Sequence, residues 1–142
     1  QVFTPKELEG AKVLYAKNFE TSYIENLGNG EFKVSALPKQ SQFSPIYGLS
    51  SGDFNQDGHI DILMGGNFTA SRVKFGHYDA IKGICLLGDS SGQFKYLDAS
   101  ESGLMISGEV RDIKKLTSSD GDEYYVFVRN NDSPKIYKPN LN

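Results

Sequence analysis

Apolar residues fall in short runs of four to six, bounded by Gly, Asn, Asp and Ser, a pattern that predicts strands rather than helices. Three of the runs match: residues 13–18 (VLYAKN), 62–67 (ILMGGN) and 125–130 (YVFVRN), each ending in Asn. A second element follows the first two, because residues 23–32 match residues 85–94. Within it, the clusters at 27–30 and 88–92 supply the positive-φ residues that tight hairpin turns require. A third copy begins again at Lys135, Ile136 and Tyr137. Asn18 and Asn67 are 49 positions apart and Asn67 and Asn130 are 63 apart, and most of the excess lies between Asn67 and Cys85. The middle copy therefore carries an insertion over residues 68–83. The chain reads as one unit, 1–142: repeat one over about 11–61, repeat two over about 62–124 and a partial third over about 125–142, each expected to form a small antiparallel sheet. Only residues 4–14 hint at a short helix, with Thr4 as cap, Pro5 in the first turn and Glu7 following.

Composition fits this picture: 38% hydrophobic and 23% charged residues, with 15 Gly, 8 Tyr and 9 Phe, describe a globular chain rich in turns and strand formers. The net charge of −3 and the scattered Lys and Arg residues provide no basic footprint for nucleic acid. No apolar run approaches the ~20 residues of a membrane-spanning helix, so membrane insertion is not expected. Cys85 is the single cysteine, which excludes an intrachain disulfide, and its neighbours Ile84, Leu86 and Leu87 predict a buried, inert thiol. Gln1 at the start points to a processed protein or a piece of a longer one.

Residues 53–61 fit DxNxDGxxD without a mismatch. Calcium takes six to eight oxygens, and a tightly curled loop supplies them from alternate side chains. Asp53, Asn55 and Asp57 are the expected side-chain ligands, Gly58 permits the sharp turn, the His59 backbone carbonyl is the next ligand, and Asp61 closes the cage directly or through water. Three carboxylates on one short loop repel one another unless a cation lies between them. An EF-hand proper is excluded, since its position 12 is Met64 rather than Glu. A solvated Asx turn without metal is the plainer alternative.

Residues 52–67, together with the turn at 27–32, resemble the FG-GAP or VCBS repeat family. That resemblance implies β-propeller blades whose DxNxDG loops hold calcium, with Asp53, Asn55, Asp57 and Asp61 at the family's ligand positions. Residues 23 to about 137 further resemble the C-terminal part of large secreted bacterial VCBS-repeat proteins of the CRTAC type, which implies an extracellular, cell-surface or periplasmic location. The expected fold is all-β: antiparallel, four-stranded, propeller-like blades in about two and a half repeats, an incomplete β-propeller. A closed propeller needs four or more blades, so the expected partners are the remaining blades of a longer chain or a second copy.

Sliding the loop by 63 places Leu116, Ser118, Asp120, Gly121 and Tyr124 over its motif positions, with two of three carboxylates lost. Residues 118–124 are thus expected to form a metal-free turn, with Leu116 and Tyr124 buried, so the chain would bind one calcium. Asp120, Asp122 and Glu123 read as a solvated turn without a basic partner. In the insertion, Arg72, His77, Tyr78 and Asp79 are candidates for recognising a glycan or a cell-surface protein, since long loops on β scaffolds often carry function. No nucleophile has an identifiable base beside it, so no catalytic residue is expected. The expected function is a calcium-stabilised, non-catalytic binding or adhesion module. The alternative is an accessory, substrate-binding portion of a secreted polysaccharide-active enzyme.

Overall fold

The computed structural model describes residues 2–71, 74 and 76–140. These form nine strands in three antiparallel sheets, so the all-β expectation holds. The first sheet pairs β1 (Ser22–Gly28) with β2 (Glu31–Ala36). The central sheet runs as a meander through β3 (Ile46–Gly52), β4 (Asp61–Gly66), β5 (Ile84–Gly88) and β6 (Phe94–Leu97). The third contains β7 (Val110–Thr117), β8 (Glu123–Arg129) and β9 (Lys135–Tyr137). No sheet closes on itself among the described residues, and only the central one has four strands, which corrects the expectation of uniform four-stranded units. The sequence-drawn boundaries at 61/62 and 124/125 fall inside β4 and β8.

Local signals are obeyed where local geometry suffices. The β1–β2 turn takes positive φ at Gly28, Asn29 and Gly30, as a tight hairpin requires. Thr4 and Glu7 cap a single 3-10 turn, Pro5–Leu8, shorter than the helix expected over 4–14. Among the described residues a single α-helical turn, α1 (Ala99–Ser102), starts on Asp98, whose carboxylate accepts from the Ser100 amide, and stops at the left-handed Gly103. Residues 13–18, however, are not a strand: Val13, Leu14 and Tyr15 lie exposed. A strand needs a neighbour for its amides and carbonyls, and no described strand pairs with this run.

The core lies on both faces of the central sheet. Leu63 and Cys85 point to one side, where Phe54, Tyr125, Phe127 and Tyr137 cover them. Ile62, Met64, Ile84 and Leu86 point to the other, against Leu37 and Tyr23 of the first sheet and its exit. This explains the unbroken apolar run of β4, which is buried along its whole length. Burial also pushes the Cys85 thiol up to about 12, as an inert thiol requires.

A buried carboxylate anchors the insertion to the third sheet. Glu109 accepts from the backbone amide and hydroxyl of Thr69, from Asn130 Nδ2 and from the Arg111 guanidinium. These bonds, led by the Thr69 hydroxyl, lower its pKa from 4.5 to about 2. The folded protein thus holds that proton more weakly than the unfolded chain does. The contribution of Glu109 to stability is complete above pH 4.5 and is lost as pH falls towards about 2. Glu109→Gln should flatten the melting-temperature profile across that window, and a profile unchanged in shape would refute the anchoring role.

Candidate metal centre

The loop over residues 53–60 joins β3 to β4, and its backbone curls around its own side chains. Asp53 accepts from the amide of Asp57 at 3.1 Å through Oδ1 and from that of Gly58 at 2.9 Å through Oδ2. Asn55 Oδ1 accepts from the Asp57 amide at 3.2 Å, and Asp57 Oδ1 from the His59 amide at 2.8 Å. Asn55 Nδ2 donates to Asp57 Oδ2 at 2.8 Å, and this bond, followed by the His59 amide, holds the Asp57 carboxyl below the ordinary carboxylate range. Two residues turn the chain with positive φ, Gln56 at 60° and Gly58 at 85°. Gly58 does so as the sequence requires. The side chains of Asp53, Asn55 and Asp57 are therefore brought together by the curl.

Asp61 has a different place. Fully buried at the start of β4, it accepts from the Phe54 amide at 2.7 Å through Oδ2 and from the Gly88 amide at 2.9 Å through Oδ1. One carboxylate thereby ties the start of the loop to the end of β5. Gly88 can approach because it has no side chain: a Cβ there would meet the Ile60 carbonyl oxygen at 2.2 Å. Among the described residues, no group of three or more His, Cys, Asp or Glu side chains is gathered closely enough to share a metal ion. In donor chemistry, the opening three positions fit a hard cation. Asp61 does not face it with a free oxygen, although each carboxylate oxygen keeps a second lone pair after accepting one amide.

A polar cleft of about 380 Å³ adjoins the loop, with Asp53, Phe54 and Gln56 on one wall and Asp122, Glu123 and Lys138 on the other. The sequence reading missed this juxtaposition, which brings together positions about 70 residues apart. Its far wall is the turn between β7 and β8. There Ser118 donates its amide to the Asp122 carbonyl and accepts the Asp122 amide on its hydroxyl. Two of the three turn acids have basic partners: Asp122 pairs with Lys138 at 2.6 Å, which lowers its pKa, and Glu123 pairs with Lys115. Leu116 is exposed rather than buried and Tyr124 only partly buried, because no further sheet among the described residues covers that face.

The described insertion candidates, His77, Tyr78 and Asp79, lie beyond the other end of β4, a strand that spans roughly 17 Å at ~3.4 Å per residue. His77, Tyr78 and Asp79 are exposed, and Arg72 lies outside the described residues. The structure does not join them to the loop. Tyr78 closes the neck of the insertion instead, exchanging both backbone hydrogen bonds with Phe68 at 2.8 and 2.9 Å. Residues 67–69 (NFT) form a glycosylation sequon, but Asn67 is buried and donates its amide to the carbonyls of Ile81 and Gly108, so it offers no free nitrogen to a glycan.

Comparison with family models, with curated proteins and with solved structures finds no match to this chain.

Proposed function

We propose that the chain is a calcium-stabilised, non-catalytic binding module of the FG-GAP or VCBS kind, acting outside the cell. The observation that carries this reading is the curl of residues 53–59, in which Asp53 accepts the Asp57 and Gly58 amides and three oxygen-bearing side chains turn inward together. Asp53, Asn55, Asp57 and the His59 carbonyl would hold the ion, with Asp61 contributing through its remaining lone pairs or through water. Calcium would supply the positive charge that offsets the crowded carboxylates, fixing the loop ahead of β4. The stacked sheets are in keeping with consecutive blades of an incomplete propeller.

Extracellular modules of this kind bind calcium with Kd on the order of 10⁻⁴ to 10⁻³ M. At about 10 mM calcium, such a site stabilises the native state by roughly 1.4 to 2.7 kcal/mol. The melting temperature should then rise by about 5 to 10 °C over its value in chelator. Asp57→Ala should abolish the rise and leave the chelator value nearly unchanged. Identical melting curves in calcium and in chelator for the unaltered chain would sink the proposal, and calorimetry finding two ions would refute the single site.

A further inference from the structure

We propose that the two outermost sheet faces are complementary halves of one interface, and that a second copy of the chain docks on them head to tail. The internal repeat carries the argument. Strand pairings are preserved between the first and central sheets: Ile24 pairs with Val34 as Leu86 pairs with Tyr96, and Asn26 with Phe32 as Gly88 with Phe94. They are preserved again between the central and third sheets: Leu63 pairs with Cys85 as Val126 pairs with Ile136.

Equivalent positions can therefore be compared for burial. Leu86 is 0% exposed, and Phe94 and Tyr96 pack beside it against the first sheet, with Phe94 edge-on to Tyr23 at 5.3 Å. Their counterparts on the first sheet face solvent: Ile24 is 61% exposed, Phe32 60% and Val34 54%. On the other side, Leu63 and Cys85 are 0% and 1% exposed beneath the third sheet, whereas Val126, the counterpart of Leu63, is only partly buried and Ile136, the counterpart of Cys85, is 67% exposed. Beside Ile136 lies an apolar cleft of about 370 Å³ that Leu116 and Tyr124 also line. Each open face thus repeats the pattern of a face that the chain buries against its own next sheet.

The two faces differ in kind, one matching the side that looks back along the chain and the other the side that looks forward. Like faces have no precedent for meeting, but unlike faces meet twice within the molecule. By the same equivalence, Phe32 of one copy falls where Phe94 falls inside the chain, on the position of Ile136 in the next copy. Val13 and Tyr15, exposed here, correspond to Ile62 and Met64, which face the preceding sheet, so the run at 13–18 gains a surface on docking. Contact of this heterologous type builds rings or open chains rather than a closed pair. It does not depend on the calcium reading.

The test uses two variants of the full chain in sedimentation. Ile24→Lys with Val34→Glu blocks the first face and keeps an oppositely charged cross-strand pair. Leu116→Lys with Ile136→Lys blocks the other. All four positions are exposed, and thermal melts establish that both variants fold. The unaltered chain should associate with concentration beyond a dimer. Either variant alone should associate at least about tenfold more weakly. An equimolar mixture should form a species of twice the 15.7 kDa monomer and stop there, with amide exchange slowing over residues 13–15. A strict 15.7 kDa monomer of the unaltered chain at high concentration would assign the faces to another occupant and overturn the proposal. So would a single-face variant that associates as strongly as the unaltered chain, or a mixture that stays monomeric.

Discussion

Asp61→Ala is expected to lower stability by about 3 kcal/mol, a fall in melting temperature on the order of 10 °C. The carboxylate is fully buried and accepts two backbone amides, Phe54 N and Gly88 N, that water cannot reach without opening the sheet. Removing the acceptor leaves both donors unpaired, which costs more than the bonds are worth on average. Asp61→Asn keeps an oxygen for one amide but turns an NH₂ towards the other, so it should recover less than half of the loss. The decisive comparison is between calcium and chelator. A residue that only binds the ion loses its influence when the ion is gone, whereas the role seen here predicts the full loss in chelator. A penalty that vanished in chelator would return Asp61 to the position of a simple ligand.

This structural role of Asp61 was not legible in the sequence. The motif placed Asp61 at the closing position, and spacing alone gives no direction for its side chain. β4 offers no alternation to decide the matter, since Ile62 and Leu63 are buried on opposite faces of one sheet. What the sequence did disclose is local: the strand-rich class, the hairpin around Asn29, the curl at Gly58 and the equivalence of residues 23–32 with 85–94. Each of these depends on a few consecutive residues and their φ preferences. The run at 13–18 misled because pairing is not local, and its apolar residues have no neighbouring strand among the described residues. Glu109 carried no signal at all, with its partners Thr69 and Asn130 lying 40 and 21 positions away. Leu116 is a residue whose burial is decided by whether another sheet lies against it, and among the described residues none does.

Phe54→Ala should have the largest effect of any single change in the loop, about 3 to 5 kcal/mol, although the residue contributes no ligand atom. Its ring is buried and meets Tyr125 edge-on, with centroids 5.2 Å apart and planes at 78°. Such a pair adds to the stabilisation from area alone. Gly52 makes the packing possible, since a Cβ there would lie 2.7 Å from the Tyr125 hydroxyl and 2.8 Å from the Phe54 ring. Tyr125 is fixed in turn by burial, which pushes its phenol up to about 12. Phe54 is flanked by Asp53 and Asn55, so its ring is what holds the first two proposed ligand positions against the core. Truncating it should therefore also shrink the proposed calcium-dependent rise in melting temperature, with every proposed ligand still present. The Phe54 amide is one of the two that Asp61 accepts, so the two changes act on one unit. Denaturant unfolding of the double variant Asp61→Ala, Phe54→Ala should show a penalty smaller than the sum of the singles by roughly 1 kcal/mol or more. Strict additivity would mean that the loop is held by two independent contacts, and a Phe54→Ala loss below about 1 kcal/mol would remove the aromatic clamp from the account altogether.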